Sequence, residues 1–116
     1  MRRAIRFAAL VVLAGWTGAA PAHEVRPGYL DIREVEPGVY DVTWKVPARG
    51  DMRLSLYARL PESCTGSTDT GAFTGGAFVA RWRATCPDGL IGQRITIEGL
   101  PATRTDVLAR VAHLAG

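Results

Sequence analysis

From residue 30 onward, apolar and polar side chains alternate with period two, and Gly and Pro punctuate each run. This pattern constrains the fold more than any other feature of the chain. Tyr40, Val42, Trp44 and Val46 fall on one side of a strand, with Asp41, Thr43 and Lys45 on the other. The same spacing would scatter those apolar residues around a helix. Leu30 and Ile32 alternate with Asp31 and Arg33 just before, and Glu36-Pro37-Gly38 is a turn signal that makes the two runs a hairpin.

Four more runs follow. Met52, Leu54, Leu56, Ala58 and Leu60 read as one strand facing inward, ended by Pro61. Phe78, Ala80, Trp82 and Ala84 form the next. Ile91, Ile95 and Ile97 form a fifth, and Val107, Ala109 and Val111 a sixth, with Leu108 interrupting its polar side. Residues 62–76 are rich in Gly, Ser and Thr and read as a long loop. Short alternating strands with Gly/Pro turns and no helical period predict an all-β fold, an antiparallel immunoglobulin-like β-sandwich of about six to seven strands. Six runs fall one short of the usual seven, so the chain reads as the front part of something longer or as a sandwich with a missing edge.

The first 22 residues are different. Arg2, Arg3 and Arg6 precede a continuous apolar run from Phe7 to Ala14, and Ala20-Pro21-Ala22 has small residues where signal peptidase requires them. This three-part pattern is that of a cleavable secretory signal. As a membrane span the segment is short of the ~20 apolar residues needed, although an uncleaved anchor stays open as an alternative. The chain thus divides into a signal peptide, 1–22, and one extracytoplasmic domain, 23–116, which starts at His23 after cleavage.

Charge follows the same division. The whole chain has 14 Lys+Arg against 11 Asp+Glu, a formal charge of +3. All of that excess lies in the acid-free first 22 residues, so the remaining domain is neutral. The basic balance of the whole chain therefore gives no reason to expect nucleic acid. In Arg81-Trp82-Arg83 the alternation puts Trp82 on the core face with Trp44, and the two arginines opposite. Asp31 and Asp41 read as solvated strand carboxylates.

Two cysteines, Cys64 and Cys86, follow the third run and end the fourth. In an oxidising compartment they predict one structural disulfide. Their spacing is not C-x-x-C, and no His or further Cys stands nearby to make a metal site. No Ser-His-Asp set, phosphate loop or HExxH motif is present, so the chain is expected not to be an enzyme.

Candidate metal ligands are few. A mature N-terminal His23 would offer its α-amine and ring Nδ1 to Ni(II) or Cu(II), which favour such nitrogen donors. Glu24 could add a carboxylate and His113 an imidazole. A first-row metal site normally needs three or four ligands. The plain alternative is that His23 is simply the residue after a cleavage site and His113 a surface or partly buried histidine.

Several stretches together resemble the N-terminal region of HupE/UreJ family membrane proteins. They are His23-Glu24-Val25-Arg26-Pro27-Gly28-Tyr29-Leu30 directly after the signal, and Val39-Tyr40-Asp41-Val42-Thr43-Trp44-Lys45-Val46-Pro47. To these add Cys64, Cys86-Pro87-Asp88-Gly89-Leu90, Ile95-Thr96-Ile97-Glu98-Gly99-Leu100, and Thr105 to Val111. The resemblance implies an extracytoplasmic β-domain that precedes a multi-helix membrane part and is associated with nickel or other metal uptake. Its partner would be that membrane-embedded domain or a transporter subunit. No run of about 18 apolar residues follows residue 22, so transport itself would reside outside the sequence given. The expected place is the periplasm, or the periplasmic face of the membrane. A structural protein–protein interaction module with no metal role is the competing expectation.

Overall fold

A computed structural model describes residues 26–66 and 70–114. The expected signal peptide, His23 and Glu24 lie outside them. The described residues form nine strands and one short 3-10 turn at Leu100–Ala102, with no α-helix. The strands are β1 (Gly28–Glu36), β2 (Val39–Arg49), β3 (Met52–Arg53), β4 (Tyr57–Arg59), β5 (Thr65–Gly66), β6 (Thr70–Thr74), β7 (Ala77–Thr85), β8 (Thr96–Glu98) and β9 (Val107–Ala112). The all-β sandwich expected from the alternation is the architecture found.

The larger sheet runs β5-β7-β2-β1-β9, with β6 also on β7 and β3 on the end of β2; β4 and β8 make a second, two-stranded sheet. The central hairpin is in the register that the alternation requires. Leu30 lies opposite Trp44 and Ile32 opposite Val42, while β7 places Trp82 opposite Val42 and Ala84 opposite Tyr40. Leu30, Ile32, Tyr40, Val42, Trp44 and Val46 are all buried. Leu56 and Leu90 cover them, with Leu54, Ala58, Leu60, Ile95 and Ile97 half-buried around the edge.

One pairing departs from an antiparallel scheme: β9 runs parallel to β1, with Leu30 beside Ala109 and Ile32 beside Val111. The chain crosses from β8 in the small sheet back to the far end of the sandwich through the 3-10 turn. It therefore enters the β1 edge in the same direction as β1.

Two runs and the expected loop differ in detail from the sequence expectation. The stretch from Met52 to Leu60 is not one strand. β3 stays with β2, β4 joins the other sheet, and the chain changes layer at Leu54–Leu56, where Leu56 N donates to the Leu54 carbonyl in a three-residue turn (2.9 Å). Leu56 consequently becomes fully buried, and Met52, left at the hairpin tip, is 73% exposed. Ile91 is exposed as well, because the turns at Gly89 and Gly92 give its expected core place to Leu90. Only Thr96–Glu98 of that run is a strand.

The Gly-rich stretch 62–76 is not a plain loop either. Its second half pairs back along β7, from Thr70 opposite Arg81 to Thr74 opposite Ala77. The two residues between them, Gly75 and Gly76, have φ of 55° and 80°. Two consecutive positive φ values are what a two-residue hairpin with the native twist demands, and glycine supplies them without steric cost.

Candidate functional site

Where the two sheets part, a groove of about 320 Å³ opens beside the disulfide. Its floor is Trp44, Trp82 and Ala84 from the large sheet. One wall is Tyr57 and Arg59 of β4, and the other is Thr65 and Gly66 of β5, with Cys64 at the end. Each part has a local cause. Trp44 and Trp82 face inward because they occupy core positions of β2 and β7. The second sheet has only two strands, so it cannot cover all of the five-strand width beneath it, and Trp82 stays half-buried. Gly66 lies against the indole: a Cβ there would meet Trp82 Cδ1 at 3.3 Å.

Buried hydrogen bonds fix the floor and walls. Trp44 Nε1 donates to the Leu56 carbonyl at 3.2 Å, and Arg53 Nη2 donates to the same oxygen at 2.6 Å. The Arg53 guanidinium also lies over the rings of Tyr57, 4.7 Å from its centroid, and Phe78, 4.3 Å. Arg59 pairs with Glu98 across the small sheet at 2.8 Å, and this carboxylate raises the Arg59 pKa. The groove thus presents aromatic surface with a cationic rim, held before anything binds.

The expected disulfide is present: Cys64 and Cys86 are joined, with their Cα atoms 4.2 Å apart. Cys86 is fully buried, and its N–H donates to the Gly38 carbonyl in the β1–β2 turn. The crosslink therefore ties the groove wall to the central hairpin.

Of the candidate metal ligands, His23 and Glu24 lie outside the described residues. His113 is the one placed among the described residues. Its Nδ1 faces Glu34 Oε1 at 3.8 Å, and its ring stands edge-on to Tyr40 with centroids 6.3 Å apart. Glu34 is already committed, since it accepts the backbone N–H groups of Gly38 and Leu114, both at 2.9 Å. Those two bonds hold its pKa below the ordinary glutamate value, with the His113 charge a lesser contribution. Burial, then the Glu34 charge, pushes the Tyr40 phenol up. No group of three or more His, Cys, Asp or Glu among the described residues could hold a metal ion. One imidazole and one saturated carboxylate do not fit the donor set that a first-row metal needs.

The strand carboxylates are not simply solvated. Asp41 pairs with Arg83 at 2.8 Å on the outer face, and this bond lowers the Asp41 pKa. Asp31 is only 18% exposed in its side chain, 3.8 Å from Arg33, with Oδ1 buried and lacking a hydrogen bond.

Sequence reasoning missed the groove. It placed both tryptophans in the core but could not see that Trp82 would reach the surface. Thr65 and Gly66 of β5 make one wall, and no turn signal in the Gly-, Ser- and Thr-rich stretch marks that short strand.

Comparison with known protein families, curated proteins and solved structures finds no match for this chain.

Proposed function

We propose that the chain is a non-enzymatic, extracytoplasmic binding domain of a HupE/UreJ-like membrane protein. Its aromatic groove is the site that takes the partner, a membrane-embedded segment or subunit of that system. The observation that carries this reading is the groove itself. A half-buried tryptophan, a tyrosine and an arginine converge on a preformed opening, and aromatic residues with arginine are the usual anchors of protein interfaces. The disulfide is compatible with an oxidising compartment, and no helix among the described residues is long and apolar enough to cross a membrane. His113 touches only Glu34 and Tyr40 among the contacts described, which supplies no nucleophile–base pair for catalysis.

Nickel or copper binding finds no support in the described residues and would rest on His23 and Glu24 alone. The domain is therefore read as a docking element beside a metal-uptake system, not as its metal carrier.

The test is co-purification. The full chain, tagged and extracted in mild detergent from cells that also produce a HupE/UreJ-like membrane protein, should bring that protein with it. Arg59→Asp or Trp82→Ala should reduce recovery at least tenfold while Arg110→Ser, on the outer face, leaves it unchanged. Equal recovery with all three variants would remove the groove from the interface.

A further inference from the structure

The domain is neutral in sum but not in distribution. At the end of the sandwich opposite the β1–β2 turn, two shallow grooves of about 400 and 490 Å³ share Arg26 and Pro47. Between them they are lined by Arg26, Lys45, Arg49, Arg53 and Arg104. No carboxylate lines either groove; the nearest in sequence are Asp51 in the hairpin tip and Asp106 before β9. None of the five cations takes part in an ion pair among the described residues, although Arg33, Arg59 and Arg83 elsewhere all do. Arg26 spends its donors on neutral carbonyls, Gly76 O at 2.7 Å and Ala48 O at 3.3 Å, and Arg53 does the same with Leu54 and Leu56. These bonds fix the guanidinium groups in place without cancelling their charge.

The same end exposes apolar side chains. Met52, at the tip of the β2–β3 hairpin, is 73% exposed, and Leu108 is 58% exposed in the adjoining groove beside Tyr29. A protruding methionine ringed by arginines, next to a leucine and a tyrosine, combines the two elements of an interfacial membrane contact. The apolar tip enters the headgroup layer and the cations meet anionic lipid.

We infer that this end of the domain docks on an anionic phospholipid surface, with Met52 at the point of contact and Arg26, Lys45, Arg49 and Arg104 around it. A soluble acidic protein would satisfy the charges but would leave the hairpin tip without a reason to be apolar. Docking by this end places the β1–β2 turn, with Glu34, Glu36 and Asp88, away from the anionic layer. The groove between the sheets stays open at the side. The inference does not depend on which partner fills that groove.

The experiment follows Met52 itself, so that membrane affinity of the segment before residue 26 does not confuse it. The full chain is treated with dilute peroxide, and conversion of Met52 to the sulfoxide is timed by peptide mass spectrometry. This is done alone, with phosphatidylcholine vesicles, and with vesicles enriched in phosphatidylglycerol. Oxidation should slow at least threefold on the anionic vesicles only, and the protection should fade as salt rises. The double variant Arg49→Ser/Arg104→Ser, which removes two exposed cations and no buried contact, should lose the protection. Each near-surface arginine is worth about fivefold in partitioning, so the pair should cost about twenty-five-fold. Equal oxidation with and without anionic vesicles would overturn the inference. So would protection that neutral vesicles give equally, that the double variant retains, or that soluble polyglutamate gives while vesicles do not.

Discussion

Trp44 of the large sheet donates its indole N–H to the backbone carbonyl of Leu56, 3.2 Å away, at the point where the chain passes into the second layer. This bond joins the two sheets and positions the floor of the groove. Trp44→Phe keeps an aromatic ring but removes the donor and part of the buried indole volume, while Arg53 still reaches the same oxygen. Its cost should be about 2–3 kcal/mol in urea unfolding, one hydrogen bond plus the cavity left by the smaller ring. In Arg53→Met/Trp44→Phe the carbonyl is left without either donor, and the loss should exceed the sum of the single variants.

The disulfide should dominate the stability of the groove wall. Cys64 and Cys86 are 22 residues apart. In the chain-entropy description, releasing a loop of that size costs about 3 kcal/mol. Cys64→Ser/Cys86→Ala, with the small apolar replacement at the buried position, should lower the unfolding midpoint accordingly. A reductant should do the same to the native protein and nothing further to the variant.

Gly71 lies where a Cβ would fall within the Phe78 ring, against its Cζ. Gly71→Ala should push that ring off its contacts with Phe73, 5.0 Å away, and with the Arg53 guanidinium. The expected cost is about 1–3 kcal/mol, the range for overpacking. Hydrogen exchange should quicken across β6 and the outer half of β7 before it does so in β1.

Glu34 gives the fold an acid-sensitive clasp. Its pKa is lowered in the folded chain by the Gly38 and Leu114 N–H groups. The stability it contributes is therefore complete above the unfolded glutamate value of about 4.3 and is lost as pH falls through the lower folded value. Thermal unfolding should show Glu34→Gln less stable than the native chain at pH 7, with the difference closing below about pH 4. Backbone exchange at His113 and Leu114 should rise over the same interval.

The sheet's register was legible in the sequence because β1, β2 and β7 bury one face, and a slip of one residue would turn Trp44 and Val42 to solvent. The same alternation misled between Met52 and Leu60. A strand that changes sheets keeps its period but not its direction, and nothing local marks the turn at Leu54–Leu56. Ile91 failed for a related reason. Gly89 and Gly92 bend the chain so that Leu90, off the alternating phase, takes the buried place. The disulfide was legible from the expected compartment, whereas the contact of His113 with Glu34 was not, because the two are brought together only when β9 lies beside β1. The basic end could not be read at all. Arg26 and Arg104 are far apart in sequence, and only the parallel entry of β9 beside β1 brings them together. A neutral total hid that segregation.

The most direct test of the binding role is site-specific photocrosslinking in the cell envelope. A photoreactive residue is placed at Thr65, on the groove rim, and separately at Arg110, on the outer face of the sheet. The account predicts that Thr65 gives an adduct with an integral membrane protein of the HupE/UreJ type and that Arg110 gives none. No adduct from Thr65, or the same adducts from both positions, would contradict it.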